Sequence, residues 1–257
     1  MSSSRGSSSL IAAAAMVTLA GGCASGTDNT AAGSASSSPF PSPRSSATVR
    51  PLTAAELAAA LPEEGSLPGY TIDSAPETTT TAGGSTDEAV RPTACRPLHD
   101  ARSGALAASV ATARVHISAT GSAPPTETVT FTSYRPGGAA AHIASLDKAL
   151  DACPSLSFLN RYGDRVSLDV EPVADQVAVG DAAVSFRTHS ASDIGGFTSD
   201  ADSLITIIRS GNATITVVSD SIIGSQLSTA KKRAFLPKLD QQLLKRQADA
   251  LRQAQRG

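Results

Sequence analysis

The chain has 257 residues and a formal net charge of −2, enough for one or two domains and too nearly neutral to hold nucleic acid through a basic surface. Aromatic residues make up 4% of it and Trp is absent, which argues against sugar recognition on ring faces.

Met1 to Ser9 is a polar leader with Arg5 as its one basic side chain. Leu10 to Ala20 (LIAAAAMVTLA) follows as an unbroken apolar run. It has the length of a signal-peptide core and falls well short of the roughly twenty residues that span a bilayer. An exported chain is expected. Ser25 to Arg50 is rich in Ser, Ala, Gly and Pro, with Phe40 its single aromatic, and buries too little apolar surface to offset the entropy of ordering it. It reads as a flexible tether.

The apolar leader, the small residues Ala20-Gly21-Gly22 before Cys23, and the polar tether together resemble the bacterial lipoprotein pattern. In that pattern the cysteine after a Leu/Ala/Gly box is lipidated and becomes the mature N-terminus. The resemblance implies a palmitate-type lipid on Cys23, anchoring the chain to the cell membrane on its extracytoplasmic side. It divides the chain into a signal peptide over 1–22, a lipidated tether over 23–51 and a folded domain over 52–257. One departure stands out: Ala20 occupies the usual Leu position and Leu19 lies one step further back. The alternative is ordinary signal cleavage near Ala24, which discards Cys23.

Of three cysteines, lipidation of Cys23 leaves Cys95 and Cys153 as a pair, the expectation for an oxidising compartment. A bridge closing so long a loop is worth about 4 kcal/mol in chain-entropy terms. No CxxC occurs, and His99, His116, His142 and His189 are spread without zinc-type spacing, so no metal or other cofactor is expected.

Within the folded part, Thr53-Ala54-Ala55-Glu56 matches a capping box and opens a helix from Ala54 to Leu61 that Pro62 stops. Gly69 to Asp73 is a candidate strand, and Glu77 to Val90 a Thr/Gly-rich loop. Ala111 to Ser118 and Glu127 to Tyr134 alternate with period two, each expected to have one face in the core and one on water, and the Gly121 to Pro125 link makes them a hairpin. Ile143, Leu146, Leu150 and Cys153 form one helical stripe over Gly138 to Cys153, ended by Pro154.

Asp164 to Glu171 and Ala182 to His189 alternate again, with Val166, Leu168, Val170, Val184 and Phe186 inward. Leu204 to Arg209 and Ala213 to Val218 are nearly all β-branched around the Ser210-Gly211-Asn212 turn, so they belong at the sheet centre, covered on both sides. A long C-terminal helix is expected from Thr229 to Gln255, with Leu236, Leu239, Leu243 and Leu251 as its apolar stripe and Pro237 starting its second half or kinking it. The class is α+β, an antiparallel sheet of about six or seven strands with helices packed on it.

Catalytic signatures are sparse. GxSxG, HExxH, a Walker loop and GxGxxG are all absent. The suspects are His189 near Ser192 and Asp193, and the pair Asp169 and Glu171, on one face of a strand and about 7 Å apart. The solvated face of an antiparallel strand is the better account of the pair, and no residue is assigned a catalytic role. The basic face of the last helix, from Lys231 to Arg252, reads as solvation.

An order of features resembles the actinobacterial lipoproteins that carry a PknH-like extracellular sensor domain. The features are Leu52-Thr53 opening a short helix, Leu67-Pro68-Gly69-Tyr70, Cys95 after the Thr-rich loop, and Ser133-Tyr134 before an Ala-rich helix ending in Cys153. Val179-Gly180-Asp181-Ala182 and Arg209-Ser210-Gly211-Asn212 before a strand complete them. The resemblance implies an α+β sandwich whose sheet and helices frame a ligand cleft, with no ligand-binding residue to carry over. Kinase-linked members commonly have two disulfides, whereas this chain can form one once Cys23 is lipidated.

The expectation is therefore a cell-envelope lipoprotein with a non-catalytic sensor or ligand-binding domain, its ligand an unidentified small molecule, lipid or envelope protein and not nucleic acid. An envelope hydrolase or transferase with an unfamiliar site is the alternative. Mass spectrometry of the membrane fraction is expected to find a mature chain beginning at lipid-modified Cys23; an unmodified N-terminus beyond Cys23 overturns the anchor.

Overall fold

Every strand pairing in the fold is antiparallel, and the strands richest in β-branched residues lie where burial is greatest. The computed structural model describes residues 50–80, 89–105, 108–120, 125–160, 162–174, 179–194, 197–224 and 227–257. Cys23, the expected signal peptide and almost all of the expected tether lie outside them. In chain order the elements are α1 (Ala54–Ala60), β1 (Tyr70–Ile72), β2 (Glu77–Thr79), a 3-10 turn (Thr93–Cys95), α2 (Arg96–Ser103), β3 (Ser109–Ala119) and β4 (Thr126–Tyr134). Then come α3 (Gly138–Ala152), β5 (Ser155–Leu159), β6 (Arg165–Pro172), β7 (Ala182–Ile194), β8 (Phe197–Ser210), β9 (Ala213–Gly224), α4 (Thr229–Phe235) and α5 (Gln241–Ala254).

The strands form one sheet in the order β1-β3-β4-β9-β8-β7-β6-β5, with β2 also paired to β3. Period-two alternation gives this sheet two buried faces. On one, Val115, Phe131, Ile215 and Ile208 pack under α1 and α5 through Leu57, Leu244 and Leu251. On the other, Ile205, Ile207, Phe186 and Leu168 pack under α2 and α3 through Leu98, Ile143 and Leu146. The architecture is α+β, as expected.

Among the described residues the sheet holds nine strands where six or seven were expected. The additions are β2, too short to show a period, and β5, whose Ser155-Leu156-Ser157-Phe158 alternation is a period-two signal that sequence reading missed. The polar ends of β7, β8 and β9 also lengthen the central hairpins, since Asp200, Asp202 and Ser203 are paired in register with Ile223, Ser221 and Asp220. The expected wet face of β4 is dry: Thr130 and Thr132 are 4% and 0% exposed, on the side where α3 packs against the sheet.

The expected single C-terminal helix is two. Leu236 takes an extended conformation (φ −60°, ψ 133°), the preference of a residue before proline. Pro237 supplies no N–H to continue the ladder. Helix α5 then restarts at its own cap, Asp240, which accepts from the Gln242 and Leu243 amides at 2.8 and 2.9 Å. No helix among the described residues is long and apolar enough to cross a membrane.

At the N-terminal end the capping box forms as read, with Thr53 and Glu56 bonding reciprocally. Arg50 pairs with Glu56, and the Leu52 amide donates to Ser133 Oγ at 2.8 Å. Arg50 and Pro51, read as the end of the tether, therefore adjoin the folded domain directly.

Gly180 accounts for the Val179-Gly180-Asp181-Ala182 motif. Its φ is +81°, and a Cβ there would stand 2.5 Å from both the Arg209 carbonyl oxygen and Ile208 Cγ2. This close approach lets the Asp181 amide donate to Arg209 O at 2.8 Å and the Asp181 carboxylate accept from the Gly211 amide at 2.7 Å, closing the β8–β9 turn. Gly180→Ala combines left-handed strain with a backbone clash and is expected to destabilise the domain by about 2 to 5 kcal/mol, read as a lowered urea midpoint with an unchanged slope.

Candidate functional site

The residues suspected of catalysis do not converge on a buried site. Register sets Asp169 opposite His189 and Glu171 opposite Arg187, but both carboxylates are exposed. His189 Nδ1 hydrogen-bonds Asp202 Oδ1 at 2.9 Å across the β7–β8 pair, with its side chain 44% exposed. Asp193 and Ser192 lie further along β7. Cys95 and Cys153 are bonded to each other, joining the start of α2 to the end of α3, and both are buried.

A different set of residues does converge. Glu127 lies on β4 in phase with the buried Val129 and Phe131, between Ile117 of β3 and Ser219 of β9. That phase turns it into the core side of the sheet, where it is only 5% exposed. Ser219 Oγ donates to Oε1 at 3.4 Å, while Oε2 has no hydrogen-bond partner among the described residues. No basic side chain forms an ion pair with it among the described residues.

The α4–α5 connection runs over this point. Asp240 uses Oδ1 to cap α5 and Oδ2 to accept from the Tyr70 hydroxyl at 2.8 Å. Tyr70 comes from β1 and faces Glu127 as well, but a phenol has one hydrogen and it goes to Asp240. One carboxyl of the pair is thus fully served and the other is not.

Electrostatics follow from that imbalance. Desolvation, joined by the charge of Asp240, pushes the Glu127 carboxyl up to about 7, against the smaller opposing pull of Ser219 and Tyr70. Burial first, and then the bond to Asp240 and the Glu127 charge, hold the Tyr70 hydroxyl well above the usual phenol range.

Above Glu127 opens a cleft of about 670 Å³ between the β1, β3 and β4 ends and the α4–α5 connection, within the size range of small-molecule sites. Ala119, Pro125, Phe235, Leu236 and Leu239 make its apolar walls, and Lys238 stands on its rim. Phe235 also borders a second cleft of about 320 Å³, walled by Ile222, Ile223 and Leu227. Ile222 is 79% exposed, a large apolar side chain left open to solvent. Sequence reading missed this site, although its signal was present: Glu127 occupies the buried phase of a strand whose next two inward residues are Val and Phe.

No known family matches the chain, and no curated protein does. Among solved structures it is similar to the crystal structure of the extracellular domain of PknH from Mycobacterium tuberculosis, at 11% identity over 81% of this chain and 100% of that one, with a TM-score of 0.49. An uncharacterized protein from Mycobacterium smegmatis is similar at 16% identity over 79% of this chain and 95% of that one, with a TM-score of 0.33. At these scores neither likeness transfers a function to this chain.

The Glu127 geometry has a thermodynamic signature. Unfolded glutamate titrates near 4.3, so the native state holds an extra proton between there and about 7. Stability from this group is full below the lower value and falls as pH rises through the window, by about 4 kcal/mol in all. Glu127→Gln is expected to remove that slope and to be the more stable form at about pH 8, as measured by urea unfolding at a series of pH values. An unchanged slope places the pH dependence elsewhere.

Proposed function

We propose that the chain is a cell-envelope lipoprotein, anchored through lipid on Cys23 and spaced from the membrane by its tether, whose folded part is a non-catalytic sensor or ligand-binding domain. Its ligand is a small amphiphilic molecule seated in the Glu127 cleft. The observation that carries this reading is a buried carboxyl, lacking a counter-ion, at the floor of an open cleft with apolar walls. A folded protein bears the cost of such a group where the group has a task.

The cleft is built to bind and not to react. Both Asp240 oxygens are committed to hydrogen bonds from Tyr70 and the α5 amides, so Asp240 has no free role as nucleophile or base beside Glu127. The hydrolase alternative needs Asp169, Glu171 and His189 gathered in a pocket, and they stand side by side on open strand surface, with both carboxylates exposed and the His189 side chain 44% exposed.

Native mass spectrometry of the protein purified undenatured from its own membrane tests the reading. A small molecule is expected to accompany the wild-type chain and to be lost from Ala119→Trp, whose indole fills the cleft. Identical spectra with no bound species overturn it, as does turnover of an ester or peptide substrate that His189→Ala or Asp169→Ala abolishes.

A further inference from the structure

We infer that the ligand of the Glu127 cleft is an organic cation, an ammonium group carried on an apolar body. The inference rests on the ligand-binding reading above and adds the charge of what binds.

Hydrogen-bond supply and demand at the floor of the cleft argue for it. The two carboxyls present four oxygens. Asp240 receives the Tyr70 hydroxyl and two α5 amides, and Glu127 Oε1 receives Ser219. Among the described residues Glu127 Oε2 is left without a donor, and it belongs to a residue only 5% exposed that lines the cleft. What the site lacks is therefore an N–H or O–H donor, and a positively charged donor also supplies the missing counter-charge.

The surrounding charges agree. Among the titratable and charged groups, β1 contributes Tyr70, β4 Glu127 itself, and the α4–α5 connection Asp240 and Lys238. The flanking strands add only neutral groups, Ala119 from β3, Ser219 from β9 and Leu204 and Thr206 from β8. Among the described residues that line the cleft Lys238 is the one cation, exposed and without an ion pair to either carboxylate, while Arg187 of β7, outside the lining, gives its guanidinium to Pro237 O at 2.9 Å. Two acids at the floor against one solvated lysine leave the interior negative once Glu127 is ionised. The ring of Phe235 on the wall adds a face that favours a cation.

A ligand cation and a proton therefore compete for Glu127. Alkylammonium groups, like lysine, stay charged well above neutrality, so affinity follows the ionisation of Glu127 and rises with pH through its titration.

Three probes sharing one ring and differing only in head group decide the matter: benzylammonium, benzyl alcohol and benzoate, each titrated into the full mature chain by ligand-observed NMR. Benzylammonium is expected to bind at pH 8 and to lose roughly tenfold or more of its affinity at pH 5.5. Glu127→Gln should abolish both the binding and its pH dependence, and Lys238→Ala should strengthen the binding by removing a like charge. Benzyl alcohol or benzoate binding as tightly, and blocked by Ala119→Trp, overturns the cation preference and leaves the cleft reading standing. Failure of all three probes to bind overturns the cation inference and the cleft reading together.

Discussion

Ile207 and Ile208 point to opposite faces of β8 and both are fully buried, so neither side of the sheet can be left to water. That constraint dictates the layout. One helix pair, α1 with α5, covers the first face, and a second, α2 with α3, covers the other. The helices come from opposite ends of the chain on one side and from its middle on the other. The layer therefore closes only after the last residues are in place, and the hydrogen bonds from Arg246 to Ser66 and from Gln255 to Ser210 join those residues to earlier parts of the chain.

The same covering helices create the site through a single interruption. A continuous C-terminal helix would present a smooth face to the sheet. The break at Pro237 instead drops an irregular segment beside β4, tied down by the Arg187 guanidinium donating to Pro237 O at 2.9 Å and by Lys232 pairing with Asp200 at 2.5 Å. The restart of α5 then places Asp240 against Tyr70. Helix breaking, helix capping and the burial of Glu127 are thus one arrangement seen from three elements.

Much of the fold was legible in the sequence because the signals were local. The β-branched runs of β8 and β9, the Thr53–Glu56 capping box and the stripe of α3 each announce themselves within a few residues. The outer halves of β7 to β9 were not legible: Asp200, Asp202 and Asp220 are poor strand formers, held extended here by long cross-strand pairing. Helix α2 (RPLHDARS) is too short and too polar to show a stripe. The site stayed hidden for a related reason. Glu127, Asp240 and Tyr70 come from three distant parts of the chain, and only the shared face of β4 hinted that one of them was buried. The Cys95–Cys153 pairing, by contrast, followed from counting.

That bridge also bears on how the molecule avoids its own kind. Strand β5 is the last in the sheet, and an open last strand offers unpaired amides and carbonyls to any passing chain. Here residue 91 occupies the vacancy, exchanging backbone hydrogen bonds with Ser157 at 2.7 and 2.8 Å. The segment that carries it is fastened four residues later by Cys95, whose partner Cys153 stands just before β5 begins. The covalent link thus works as a clasp on a selvedge, keeping the rim of the sheet folded over and its backbone groups out of reach of a second chain.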